Sequence, residues 1–289
     1  MRLPVRGPFH LEATVRLLQR RPANRIDAWD GSRYWRVLRV GRTPVVCSVR
    51  NEGSLDEPRL ELETSAPAAA GIGRLLSRIL GLDCDPSFDL PQVGQPKLRA
   101  IGRALRGARP PRFPSLFESF CRVVPYQQVS LDAGGAVAGR LVERFGQRVG
   151  DLWGFPEAAE VLAASPEDFA GIGLSRTKVA TLQNVARLLA SGELREDELE
   201  RMSTEAALRR LDALPGVGPW TAALVLLRGL RRMDVFPAAD AGVQRGLRRI
   251  LGDGAAIEPL VERLGERRGY LYFYVLGAQL LERGLIHSA

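Results

Sequence analysis

The chain from residue 1 to about residue 64 alternates between apolar and polar residues as an antiparallel sheet requires. Three segments rich in aromatic and β-branched residues, or cleanly alternating, are predicted strands: residues 34–40, 44–49 and 59–64. Residues 11–18 and 71–82 have the spacing of amphipathic helices instead. We therefore predict an α+β N-terminal subdomain over residues 1–85, with an antiparallel sheet and helices.

The rest of the chain has mainly helical spacing. Residues 86–114 begin and end with Pro and are rich in Arg from residue 99 onwards, which predicts a connecting segment with one basic helix. Ser115 and Glu118 form the pattern of a capping box, and Ser175 precedes another apolar-faced helix. No strand is predicted after this point, so residues 115–289 are expected to form an all-α domain.

A Gly-rich turn between two predicted helices is the most distinctive local motif. Its sequence at residues 214–218 is LPGVG, and Pro219 follows, where a first helical turn tolerates proline. The glycines permit positive φ and leave backbone N–H groups uncovered, and such groups at a helix N-terminus suit a phosphate oxygen. Gly171 and Gly173 form a second pair that fits either a plain turn or a second clamp.

Composition favours an anionic partner. The 289 residues carry a net charge of +8 and a pI near 10.1. A GC-rich genome also explains the excess of Arg over Lys, but it does not explain why the net charge is positive. The chain has an odd number of cysteines, and all three lie far apart in sequence: Cys47, Cys84 and Cys121. Neither a disulfide framework nor a zinc site is therefore indicated. With no leader pattern and no long apolar run, we expect a cytoplasmic protein outside the membrane.

The hairpin and one aspartate after it resemble the helix-hairpin-helix DNA glycosylases. In that superfamily a hairpin of LPGVG type grips DNA and an Asp further along performs the chemistry, and Asp240 stands at that position here. Residues 33–41, 126–130 and 234–237 are similar to the alkylation-repair branch, 3-methyladenine DNA glycosylase II. The resemblance covers nearly the whole chain and implies an α+β subdomain followed by an all-α helix-hairpin-helix glycosylase domain.

The resemblance implies that Asp240 is the catalytic residue. Cutting the N-glycosidic bond builds positive charge on the sugar, and a carboxylate roughly 4 Å away stabilises it by about 4 kcal/mol at an effective dielectric near 20. An alkylated purine is already cationic and leaves without a general acid. The local sequence alone fits a different role equally well, because Asp is a favoured N-cap for a helix beginning near Gly242. The two roles are compatible.

The resemblance also bears on lyase activity and on cofactors. In bifunctional relatives a Lys follows the hairpin and attacks the sugar, whereas this chain has Trp220 there, so we predict a monofunctional enzyme. The C-terminal region lacks the four-cysteine set of other relatives, which predicts no iron–sulfur cluster. No cofactor is expected to be required. Family members bind a monovalent cation, Na⁺ or K⁺, through hairpin carbonyls, and the matching residues are Asp212, Leu214 and Gly216.

Further contacts follow from the same resemblance. Gln128 stands where the family inserts a wedge into the gap left by a flipped nucleotide, although Gln127 and Gln128 also fit an ordinary polar loop. Tyr126 and Trp220 are the expected aromatic walls of the base pocket, with Leu224 one turn further along. The remaining expected DNA contacts lie in the hairpin: Leu214, Gly216, Val217, Gly218 and Thr221.

Departures from the family pattern leave the preferred lesion open. Leu224 and Leu276 stand where aromatic residues are familiar, and Ala239 precedes Asp240 where a second acid can occur. A less aromatic pocket would shift the preference among 3-methyladenine, 7-methylguanine and hypoxanthine. One aromatic cluster fits either the core or a reserve pocket wall: Tyr270, Tyr272, Phe273 and Tyr274.

The sequence therefore predicts a monomeric, monofunctional glycosylase that excises alkylated purines from damaged duplex DNA. Two other classes remain open. A non-catalytic helix-hairpin-helix protein would keep the DNA grip without the chemistry. A glycosylase-lyase for oxidised purines would need a Lys that the hairpin lacks.

Overall fold

A computed structural model describes residues 1–21, 24–41, 43–65, 69–84 and 95–287. The strands in chain order are β1 (Arg2–Leu3), β2 (Ala28–Trp29), β3 (Arg33–Val40), β4 (Thr43–Asn51), β5 (Leu60–Thr64), β6 (Gln147–Val149) and β7 (Leu152–Gly154). The first helices are α1 (Leu11–Gln19), α2 (Ala69–Leu80), α3 (Pro96–Ala104), α4 (Leu116–Val123), α5 (Leu131–Phe145), α6 (Ala158–Ala163) and α7 (Arg176–Ala190). The later helices are α8 (Glu196–Arg201), α9 (Thr204–Asp212), α10 (Pro219–Gly229), α11 (Ala241–Leu251), α12 (Ile257–Leu264) and α13 (Tyr270–Glu282).

The N-terminal part is the expected antiparallel sheet covered by helices. Its strand order is β1-β5-β4-β3, and β2 pairs with the start of β3. The period-two pattern is clear in β5, where Leu60 and Leu62 are buried and Glu63 is exposed. Apolar residues of α1 and α2, such as Val15 and Leu76, pack against this face to form one core. The boundary predicted at residue 85 lies outside the described residues.

The second half is helical with one exception, which corrects the expectation of an all-α domain. Strands β6 and β7 form a short antiparallel pair, and β7 joins the N-terminal sheet by pairing in parallel with β3 at Val37 and Gly154. Each strand has only three residues, and β6 is largely exposed, so no alternation long enough to signal a strand is present in the sequence. The sheet therefore continues into the helical half of the chain.

The helical part is built around α10, whose residues from Thr221 onwards are all buried. Its neighbours include α4 and α9, and α13 closes the same core with Tyr272 and Phe273. Two predicted caps are confirmed, because the side chains of Ser115 and Ser175 accept hydrogen bonds from backbone amides at the starts of α4 and α7. None of the described helices is long and apolar enough to cross a bilayer.

A buried ion network fastens the sheet to α4, which leads into the candidate site. Arg36 on β3 donates to Asp27 at 2.6 Å and to both carboxylate oxygens of Glu118 at 2.6 and 2.7 Å. Arg122 donates to Asp27 at 2.7 Å and pairs with Glu118 at 2.7 Å, and the Tyr34 hydroxyl donates to Asp27 at 2.8 Å. Glu118 therefore does not complete the predicted capping box, because its carboxylate is directed to these arginines.

Candidate active site

The hairpin between α9 and α10 is a tight turn that depends on one glycine. The Val217 amide donates to the Leu214 carbonyl at 3.0 Å, with Pro215 second and Gly216 third at φ 78°, which is the pattern of a type II turn. A Cβ at Gly216 would lie 1.9 Å from the Oγ1 atom of Thr181 on α7. Gly216 is thus required both by its backbone conformation and by the close approach of α7.

Four backbone N–H groups of this turn have no acceptor among the described residues: those of Gly216, Gly218, Trp220 and Thr221. They lie at the positive end of the α10 dipole, as an anion site requires. Gly218 differs from expectation, because its φ of −106° is open to any residue. Its contribution is an uncovered amide, since nothing lies within 4 Å of the place of a Cβ.

The apolar residues of the hairpin anchor it to the protein. Leu214 and Val217 are 6% and 5% exposed, and both belong to the helical core. The Val217 amide is also occupied within the turn. Any ligand at the hairpin therefore contacts its backbone and not these two side chains.

Asp240 lies in the loop before α11 and serves as the N-cap of that helix. Its Oδ1 atom accepts from the Val243 amide at 2.9 Å, and its Oδ2 atom accepts from the Trp220 indole N–H at 3.0 Å. The carboxylate is partly exposed, and the preceding residues Ala238 and Ala239 are exposed. The capping role is present in the structure, and Trp220 orients the second oxygen next to the hairpin.

The loop at residues 126–130 is joined directly to the hairpin. The Gln127 side chain donates to the Gly216 carbonyl and to the Thr221 hydroxyl, both at 2.9 Å. Gln128 is exposed, has a left-handed φ of 55° and has no side-chain partner among the described residues. Gln127 therefore holds the loop in place, and Gln128 is the residue free to enter a gap.

Helix α7 supports this loop and the hairpin together. The Lys178 ammonium donates to the carbonyls of Pro125 at 3.1 Å and Gln127 at 2.8 Å, and burial lowers the pKa of Lys178. One turn later, Thr181 contacts Gly216. Lys178 is distant from the hairpin in sequence, so only the fold reveals that this lysine lies beside the hairpin.

Two cavities flank the site, and the predicted pocket residues divide between them. Tyr126 lines a cavity of about 370 Å³ between the end of α1, α5 and α13. Trp220 and Ala239 line a separate groove of about 510 Å³. Leu224 is a correction to the predicted pocket, because α10 is buried on every side from Thr221 onwards and Leu224 lies in the core at 5% exposure. Tyr272, Phe273 and Tyr274 are core residues as well.

Residues 121–267 match the HhH-GPD superfamily of base excision DNA repair proteins. The chain belongs to this superfamily. Residues 1–115 match the AlkA N-terminal domain. These matches confirm the predicted superfamily and branch, and with the observed sheet and helices they confirm the predicted fold class.

Three proteins illustrate the similarity. A Mycobacterium tuberculosis protein named probable bifunctional transcriptional activator/DNA repair enzyme AlkA is 32% identical over 263 residues, which are 86% of this chain and 50% of that protein. The Bacillus subtilis DNA-3-methyladenine glycosylase is 33% identical over 165 residues, 56% of this chain and 54% of that protein. A 3-methyladenine DNA-glycosylase structure from Archaeoglobus fulgidus has a TM-score of 0.79 at 26% identity and covers 98% of both chains. The chain spans about half the length of the first two relatives.

Three side chains of this HhH-GPD protein belong near the site but were missed from sequence. Val129 and Leu131 are 45% and 41% exposed beside Gln128, which is unusual for large apolar residues and places an apolar edge next to the expected wedge. Arg20, at the end of α1, lines the same cavity as Tyr126. An apolar pair on either side of the N-cap Ser130 was the available signal for the first two, whereas Arg20 gave none.

The hairpin carbonyls have the capacity that a monovalent cation needs. The Leu214 carbonyl accepts one bond from Val217, and the Gly216 carbonyl accepts one from Gln127, which leaves each a second lone pair. The Asp212 carbonyl has no partner among the described residues. Within the described part of the chain, no group of three or more His, Cys, Asp or Glu side chains is arranged to hold a metal ion.

Proposed function

We propose that this protein is a monofunctional DNA glycosylase that releases alkylated purines from damaged duplex DNA by hydrolysing the N-glycosidic bond in base excision repair. The observation that carries the proposal is the position of Asp240. Its carboxylate accepts a hydrogen bond from Trp220, which lies in the first turn of α10 beside the free amides of the hairpin. Membership of the HhH-GPD superfamily and relatives named DNA-3-methyladenine glycosylase support it.

The arrangement supplies each step that the reaction needs. The free amides of the hairpin bind backbone phosphate, which positions the strand without reading its sequence. Gln128, with the apolar edge of Val129 and Leu131, fills the gap left by the extruded nucleotide. The C1′–N bond then breaks with its electron pair moving to the cationic base. Asp240 stabilises the sugar cation and orients the water whose oxygen adds to C1′, and the proton that this water loses passes to the Asp240 carboxylate and then to solvent.

Monofunctional chemistry is proposed because no amine is free beside the hairpin. Trp220 occupies the position where a lyase would have Lys. Lys178, which does lie nearby, has its ammonium on the carbonyls of Pro125 and Gln127. Lys97 lies on α3, a different element from the hairpin and from the loop at residues 126–130. Without an amine to form a Schiff base, the product is an abasic site in an intact strand.

The test is incubation of the protein with methylated duplex DNA, followed by analysis of released bases and of strand breaks before and after alkali. Release of methylated purine with breaks only after alkali is the expected result. Breaks without alkali would favour a glycosylase-lyase, and DNA binding with no base release would favour a non-catalytic helix-hairpin-helix protein.

Gly218→Ala is expected to weaken duplex binding about tenfold while leaving the free energy of unfolding unchanged. Its φ and the empty space around it accommodate a methyl group, but that group would stand where phosphate approaches the amide. Gly216→Ala should instead destabilise the fold, because φ is 78° and the Cβ would meet Thr181. Fluorescence anisotropy and urea unfolding measure the two effects.

The control for this pair is Gly254→Ala, which lies in an exposed turn with nothing within 4 Å of the new Cβ. It should change neither DNA affinity nor stability. Unchanged DNA affinity in the Gly218 variant would remove the hairpin from the DNA contact.

We also propose that the carbonyls of Asp212, Leu214 and Gly216 would hold Na⁺ or K⁺, which would supply positive charge for phosphate binding at the hairpin; no further cofactor and no iron–sulfur cluster are proposed. Duplex affinity measured at one ionic strength should be lower in tetramethylammonium chloride than in KCl, because the larger cation cannot enter a carbonyl site. Equal affinities would contradict the cation proposal.

The three free cysteines fit a reducing compartment, and we propose a monomer acting in the cytoplasm.

A further inference from the structure

Lys178 on α7 uses its ammonium to hold the backbone of the loop at residues 126–130. It donates to the Pro125 carbonyl at 3.1 Å and to the Gln127 carbonyl at 2.8 Å. Among the described residues, no carboxylate forms an ion pair with this ammonium. Burial lowers the pKa of Lys178, so the charge is kept here at a cost that the two carbonyls offset.

The two carbonyls belong to the peptides that lead into the two side chains expected to act on the extruded nucleotide. The Pro125 carbonyl is part of the peptide that joins Pro125 to Tyr126, a wall of the candidate cavity. The Gln127 carbonyl is part of the peptide that joins Gln127 to Gln128, the expected wedge. Because a peptide is planar, fixing its carbonyl also fixes the amide from which the next residue starts. One ammonium therefore constrains the backbone at both the wall and the wedge.

The wedge residue needs such a constraint. Gln128 has a φ of 55°, a left-handed conformation that a non-glycine residue keeps only where the surrounding structure holds it. On its far side, Ser130 caps the start of α5. On its near side, the Gln127 side chain is bonded to the hairpin. Lys178 adds the contact that acts on the peptide of Gln128 itself.

Helix α7 fixes this loop relative to the hairpin. Thr181 lies three residues after Lys178, on the same side of α7, and packs so closely on the hairpin that a Cβ at Gly216 would meet its hydroxyl. From the other side, Tyr126 lies against α5, where a Cβ at Gly134 would be 2.5 Å from its ring. The spacing between the phosphate-binding amides and the wedge is thus set by one rigid helix.

We propose that Lys178 is a positioning residue that presets Tyr126 and Gln128 for extrusion of the damaged nucleotide. The proposal rests on the proposed glycosylase function and assigns a residue to its extrusion step. A loop that became ordered only during extrusion would lose conformational entropy at that step, whereas a preset loop does not. The bonds of Lys178 end on the loop and none reaches Asp240, so its effect falls on extrusion and not on bond breaking.

The test compares Lys178→Met, which keeps an unbranched side chain but removes the donors, with Lys178→Arg, which keeps donors. Each protein is given 7-methylguanine at one site, either paired with cytosine or opposite an abasic analogue. A lesion without a partner base leaves the stack at a lower cost and depends less on the wedge. Lys178→Met should slow single-turnover base release about 10- to 100-fold on the paired duplex but only about threefold opposite the analogue. Lys178→Arg should recover most of the loss.

Extrusion is also read without the chemistry, from the fluorescence of 2-aminopurine placed next to the lesion, which rises when the base unstacks. Lys178→Met should reduce this rise on the paired duplex. Its affinity for undamaged duplex, measured by anisotropy, should stay as in the wild type because the hairpin amides are unchanged. Lys97→Met makes the same substitution at the chain's other lysine, which is exposed on α3, and should alter none of these values.

The outcomes separate this proposal from the function on which it rests. An equal loss on the two duplexes, no loss on either, or an Arg variant as slow as the Met variant would overturn the role of Lys178. A wild type that unstacks the reporter but releases no base would overturn the glycosylase function, and the fluorescence comparison would still decide the role of Lys178. Urea unfolding verifies that each variant is folded.

Discussion

Asp240→Asn is expected to lower kcat for release of methylated purine about 1,000-fold without loss of duplex binding. A carboxylate at roughly 4 Å from the developing sugar cation contributes about 4 kcal/mol at an effective dielectric near 20, and a neutral amide loses that attraction. Single-turnover base release measures the chemical step, and anisotropy on an abasic-site duplex measures binding. Retained kcat would reduce Asp240 to a helix cap.

The substitution separates chemistry from stability because Asn is as good an N-cap as Asp. The bond from the Val243 amide to Oδ1 can form with the Asn side-chain oxygen, so the start of α11 is preserved. Asp253→Asn is the matched control, since Asp253 is an exposed residue beyond the other end of α11. It should leave both release and binding as in the wild type.

Local chemistry explains what the sequence could predict. The turn at residues 214–218 is set by Pro and Gly within a few residues, and serine caps such as Ser115 and Ser175 act on amides in the next helical turn. These interactions do not depend on distant parts of the chain. The superfamily and the fold class could therefore be predicted from these motifs and from the resemblance they carry.

Contacts between distant segments explain what the sequence could not predict. Gln127 is a loop residue by composition, and its bonds to Gly216 and Thr221 join positions 89 and 94 residues apart. Strand β7 exists because β3 offers it an edge, and not because of its own pattern. Arg20 has no motif, and only the packing of α1 against α13 brings it to the cavity. The loop contacts and the cavity lining of the site are of this second kind.

Asp27→Asn is expected to lower the free energy of unfolding by about 3–5 kcal/mol, the usual cost of breaking a buried ion pair. The variant leaves Arg36 and Arg122 sharing Glu118 alone, in a place where Arg36 is 1% exposed. Urea unfolding measures the change. The exposed Asp56→Asn, which removes a surface partner of Arg106, should match the wild type within error. Equal stability of the Asp27 variant would show that the network does not fasten the sheet to α4.

The same network predicts an acid-dependent loss of stability. Burial alone would raise the pKa of Asp27, but the charges of Arg122 and Arg36 outweigh it and lower that pKa to about 2, below the value of about 4 in an unfolded chain. The unfolded chain thus binds a proton at a pH where the folded protein does not. The stabilisation, about 2 kcal/mol from this shift, is complete above about pH 4 and is lost as the pH falls towards 2. The difference in unfolding free energy between wild type and Asp27→Asn should shrink across that window, and a constant difference would contradict the assignment.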